Sequence, residues 1–194
     1  MHEFSFLIYN LVIFPIIAGL LVVNKDFVSF FLGKDFQAAN IAIAIMVFRM
    51  FFIGWTNIMG IQILIPHNKH REFMLSTTIP AVVSVGFNLL LIPPFGFVGA
   101  SIVSVLTEAL VWFIQLYFSL PYLKEVPILE SMAKIVCASA MMYGLLLSSK
   151  PFLHFPPTLN VLVYAVLGGL IYLLAILVLK VVDVKELKQI MGKN

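Results

Sequence analysis

Charge is what this sequence has least of. Of its 194 residues only 11% are charged while 62% are hydrophobic, and the mean hydropathy is +1.08. Soluble domains carry about 25% charged residues, so this chain lacks the polar surface to cover itself and lipid is its expected solvent. Cysteine is nearly absent as well. Cys137 is the single one, which excludes an internal disulfide and a cysteine metal site, and its apolar neighbours predict a small buried residue. The 12 Lys and Arg residues leave a net charge of +3 without any basic cluster interleaved with exposed aromatics, so nucleic acid is set aside as a partner. No G-x-S-x-G, Walker or dinucleotide-glycine pattern occurs; the chain is not expected to be an enzyme or to need a cofactor. His67 and His70 stand at i, i+3, but no carboxylate follows metal-site spacing and the segment reads as a solvated loop, so no metal is expected. No internal repeat or low-complexity segment is visible.

Long apolar runs are what the chain does have. A bilayer core of roughly 30 Å takes about 20 helical residues per crossing, so this length holds about six spans and no soluble domain. The runs place them at 4–23, 41–65, 73–93, 97–120, 132–147 and 159–182, a single all-α membrane domain over 1–194. Pro15 is expected to kink the first span. A signal peptide is not expected there, because Glu3 stands in place of a basic cluster, the apolar run is too long and no small-x-small cleavage site follows. Residues 24–37 mix Lys25, Asp26, Lys34 and Asp35 with Phe27, Phe30, Phe31 and Phe36, a pattern suited to an interfacial segment. A charged link over 124–130 precedes the fifth span, a proline-rich loop over 148–158 follows it, and the amphipathic tail 180–194 is expected at the surface.

The stretch 73–120 organises the rest. Its two apolar runs meet at Leu91-Ile92-Pro93-Pro94-Phe95-Gly96-Phe97-Val98-Gly99-Ala100. Pro93 and Pro94 cannot donate backbone hydrogen bonds, and the residue before each is pushed away from helix. Gly96 lets the chain reverse, and Gly99-Ala100 is small enough for another backbone to approach closely. A hairpin of membrane helices is predicted, with Asn88 satisfying backbone groups freed by Pro93.

Orientation follows from the loops. One side holds Lys69, Arg71, Lys124, Lys134, Lys180, Lys185, Lys188 and Lys193, and the other Lys25, Lys34 and Lys150; eight against three places both termini in the cytoplasm. An even number of spans agrees.

Two charges fall inside predicted spans. Each costs about 2.5 to 3.5 kcal/mol on insertion scales, so Arg49 and Glu108 need an explanation. Counting from the outer face at 1.5 Å per residue puts them roughly 14 and 16 Å deep, where they could meet. One reading is an ion pair that only fixes helix packing. The other is a water-filled cavity in which Arg49 contacts an anionic substrate and Glu108 is its partner or a proton carrier. Asn57, Gln115 and Thr77 form a second polar layer at roughly 23 to 27 Å, suited to interhelical hydrogen bonding or to substrate contact.

The run Asn88-Leu89-Leu90-Leu91-Ile92-Pro93, followed by Pro94-Phe95-Gly96-Phe97-Val98-Gly99-Ala100-Ser101 and then Glu108, resembles the polysaccharide-exporter branch of the multidrug/oligosaccharidyl-lipid/polysaccharide flippase superfamily. Pro15 to Gly19, Phe31-Leu32-Gly33-Lys34-Asp35-Phe36 and Gln62-Ile63-Leu64 resemble the preceding part of the same pattern, so the likeness covers about residues 10–120. It implies a place in a protein of two six-helix lobes flanking a central cavity, with these spans similar to the ninth to fourteenth helices of a fourteen-helix member. An amino-terminal lobe would then be a partner, since alternating access needs two lobes. It further implies a cell-membrane flippase carrying an isoprenoid-diphosphate-linked oligosaccharide between leaflets. The alternatives are a cation-coupled drug exporter of the same superfamily, which Arg49 disfavours, and an inactive remnant or helix-packing partner.

Overall fold

Backbone N–H and C=O groups in so apolar a chain have no better partners than one another, and each run closes into helix. A computed structural model describes residues 2–123, 128–151 and 156–179. Among these there is no strand, and five helices carry the fold: α1 (His2–Phe31), α2 (Ala39–Asn57), α3 (His70–Leu123), α4 (Ile128–Ser149) and α5 (Pro157–Val178). All five are long and apolar enough to cross a membrane. Lys124, Lys180, Lys185, Lys188 and Lys193 of the orientation argument, Pro127, residues 152–155 and the tail 180–194 lie outside the described residues.

α1 runs through Pro15 and continues to Phe31, well past the predicted end at residue 23. The reason is local. Neither Gly nor Pro occurs between Val23 and Gly33, and Asn, Lys and Asp cost a helix only tenths of a kcal/mol, about 0.7 at most. The expected interfacial link is therefore reduced to a 3₁₀ turn, Lys34–Phe36, entered at Gly33 with φ 94°. Polar side chains close it. Asn24 Nδ2 donates to the Asn40 carbonyl at 2.7 Å, and Gln37 Nε2 to Ser29 Oγ at 2.6 Å. Phe30, Phe31 and Phe36 stay exposed beside it.

α2 continues directly into a π-helical stretch, Ile58–Leu64. Such stretches give no signature in hydrophobic periodicity and often mark irregular packing. The chain then stops in a Schellman arrangement: Asn68 takes φ 59°, its N–H donates to the Ile65 carbonyl at 3.0 Å, and the Lys69 N–H reaches the Leu64 carbonyl at 2.9 Å. Asparagine is among the few residues that accept this left-handed conformation. Lys69 Nζ pairs with Glu72 at 2.9 Å at the start of α3, and this bond holds the Glu72 carboxyl below its usual range.

α3 is broken at Gly96, where φ 54° and ψ −132° leave the helical region. The backbone stays helical through Pro93 and Pro94, beyond the expected stop, because proline's fixed φ suits a helix even though its bonds are lost. The limbs on either side fold back on each other. Ser76 and Gln115 lie 20 and 19 residues from Gly96 (96 − 76 and 115 − 96) and touch, with Gln115 Nε2 at 3.2 Å from Ser76 Oγ; a straight helix would hold them about 58 Å apart. Gly99 makes the return possible. A Cβ there would lie 2.1 Å from the Leu91 carbonyl oxygen.

α1 packs against α2, α4 and α5, and α2 against α3. One core joins Val22, Met142, Leu146 and Tyr172 across α1, α4 and α5. A second places Phe6, Trp55, Met59 and Ile63 between α1, α2 and the π stretch, backed by Trp112. Within it Trp55 Nε1 donates to Asn10 Oδ1 at 2.9 Å, and Gly54 lies under the Tyr9 ring, where an added Cβ would come within 1.7 Å of it. Cys137 corrects an expectation, because it is exposed. The inward stripe of α4 is Ile135, Ala138 and Met142 at i, i+3, i+7, and Cys137 falls off that stripe.

Candidate functional site

Helix α2 presents Arg49 two turns before the π stretch, and the returning limb of α3 presents Glu108 twelve residues after Gly96 (108 − 96). The fold-back brings them together. Arg49 Nη2 donates to Glu108 Oε1 at 2.8 Å, and Arg49 Nε donates to the same oxygen at 3.3 Å. This is a shared acceptor and not two parallel bonds, so it falls short of the fork-to-fork geometry that makes Arg–carboxylate pairs strongest. The Arg49 side chain is 37% exposed and that of Glu108 20%. Of the guanidinium's five N–H donors, these bonds use two.

The second polar layer divides. Gln115 is 1% exposed and bonds Ser76, which is itself buried. Thr77, one residue and about 100° further around the helix, is exposed and returns its hydroxyl to the carbonyls of Phe73 and Met74. Asn57 is also exposed, and its Nδ2 donates to the Ile53 carbonyl at 2.8 Å in its own helix. The structure therefore gives Gln115 neither Asn57 nor Thr77 as a hydrogen-bond partner. Counting both ways from Gly96 reaches Thr77, so Ser76 was not legible in the sequence. Trp112 Nε1, Gln115 Oε1 and Ser119 Oγ are buried without a partner among the described residues, at i, i+3, i+7 on one helical face.

Asn88 is half-buried and no hydrogen bond joins its side chain to a described residue; the carbonyls freed by Pro93 and Pro94 are not answered by it. Gly96 and Gly99 have the geometry their positions predict. His67 turns its ring onto Tyr122, with centroids 4.0 Å apart, and places Nδ1 2.6 Å from the Ile63 carbonyl. No group of three or more His, Cys, Asp or Glu side chains among the described residues could hold a metal ion. A cavity of about 330 Å³ lies between α1, α4 and α5, and none of Arg49, Asn57, Glu108 or Gln115 lines it. No known protein family, no curated protein and no solved structure matches the chain.

Proposed function

We propose that this chain is a six-span membrane lobe of a lipid-linked oligosaccharide flippase, with both termini cytoplasmic. Five apolar helices support the membrane reading, and the sixth span comes from α3, whose limbs on either side of Gly96 each exceed the about 20 residues a crossing needs. The Lys and Arg distribution supports the orientation. Function rests on one observation above the others: Arg49 reaches across from α2 to a single oxygen of Glu108 while more than a third of its side chain stays exposed. In transport, the remaining guanidinium donors would hold the diphosphate of the carried lipid. Glu108 would release Arg49 to the substrate and take it back afterwards, as one half-site of an alternating-access cycle with a second lobe.

A second reading is favoured by the cavity, which lies away from the pair: the two charges then only fix α2 against α3. Flipping of a fluorescent lipid-linked oligosaccharide in vesicles, with and without a complementing amino-terminal lobe, separates the two. Arg49→Lys should slow flipping by losing the planar donor edge while leaving the yield of folded protein unchanged. Flipping that survives the paired change Arg49→Met with Glu108→Leu would end the substrate role.

A further inference from the structure

The cavity between α1, α4 and α5 has a different chemistry from the Arg49 region. Pro15, Gly19, Val23 and Phe27 line it along α1 at every fourth residue, one ridge that winds gradually around the helix. From Pro15 to Phe27 that ridge is about 18 Å long, against about 15 Å for one leaflet of a 30 Å hydrocarbon core. α5 supplies the facing wall with Tyr164, Gly168 and Gly169, and Met142 of α4 forms the floor. Its 330 Å³ is the size of a ligand pocket, about 300 to 1,000 Å³. Gly19 and Gly169 keep it open, since a Cβ at either would meet nothing within 4 Å.

Two polar groups lie beside this apolar lining. Tyr164 is 3% exposed and its hydroxyl has no partner among the described residues. Lys150, at the end of α4, donates from Nζ to the Val22 carbonyl, one residue from the lining residue Val23. Among the described residues Lys150 forms no ion pair. The groove thus has a cation at the Val23–Phe27 end and hydrocarbon for the rest of its length.

We propose that this groove binds one acyl chain of an anionic glycerophospholipid, with the phosphate at Lys150. The inference rests on the membrane reading above and concerns a resident lipid, distinct from the carried one. Length decides between them. A single-leaflet wall matches one acyl chain, whereas a long isoprenoid would project beyond Pro15 into the packed helices.

Native mass spectrometry of the purified chain, titrated in turn with phosphatidylglycerol, phosphatidylcholine and undecaprenyl phosphate, tests the inference. Phosphatidylglycerol should be retained over phosphatidylcholine by about fivefold, the worth of one Lys near a lipid phosphate. Lys150→Gln should erase that preference, and Gly169→Leu or Gly19→Leu, each filling open space, should remove both adducts with unchanged helicity and melting. An adduct undiminished in the Gly variants overturns the proposal, as does a preference that survives Lys150→Gln or displacement of phosphatidylglycerol by undecaprenyl phosphate. If one Gly variant fails to fold, the other and Lys150→Gln still decide. Failure of flipping would leave this adduct pattern unaltered, so the two proposals fail separately.

Discussion

A double-mutant cycle on Arg49 and Glu108 measures what surrounds them. In hydrocarbon, removal of one partner strands the other charge, which costs about 3 to 5 kcal/mol for a buried pair. In water the same pair is worth about 0.2 to 1 kcal/mol. Two features of the geometry set the expectation. Both donors converge on Oε1, at 2.8 and 3.3 Å, so the pair forgoes the second parallel bond. The side chains are 37% and 20% exposed, and the site proposal has that exposure facing water. The expected coupling is therefore about 1 kcal/mol or less, with Arg49→Met alone costing no more than that. Equilibrium unfolding of the parent, Arg49→Met, Glu108→Leu and the double variant in mixed micelles gives the four free energies. Single losses near 3 kcal/mol that are restored in the double variant would show the pair to be shielded by hydrocarbon and would refute its role as an open anion site.

Other outcomes follow from the backbone. Gly99→Ala should already lower the yield of folded protein, since its Cβ would sit 2.1 Å from the Leu91 carbonyl, while Ser148→Leu on an exposed turn of α4 should not; equal yields would show that the close approach is dispensable. Asn68→Gly should preserve or slightly raise the melting temperature, and Asn68→Val should cost about 1 to 2 kcal/mol for its left-handed backbone, read by thermal unfolding. For topology, single cysteines at Asn68 and Ser149 in a Cys137→Ser background should label from opposite sides of a sealed vesicle. The background change is required because Cys137 is itself exposed, and labelling of both from one side would remove the six-span map.

Composition and spacing were enough for the helical class. With so few charged residues, satisfying the backbone inside each apolar run leaves only helix, and that is decided locally. The reversal at Gly96 and the close approach at Gly99 were legible for the same reason: each is a demand on one backbone position that only glycine meets. The meeting of Arg49 with Glu108 was legible because depth along two helices is simple counting at 1.5 Å per residue. Counting gives depth but not direction. Whether a residue faces a neighbour depends on the rotation of its helix, which packing sets. Hence Ser76 and not Thr77 met Gln115, Asn57 turned to its own helix, and Cys137 pointed outward. The π stretch at Ile58–Leu64 changes that rotation again for the residues beyond Asn57. The groove between α1, α4 and α5 belongs wholly to the tertiary structure, because its walls come from Pro15, Met142 and Gly169, residues far apart in the chain whose shared space exists only once three helices have packed.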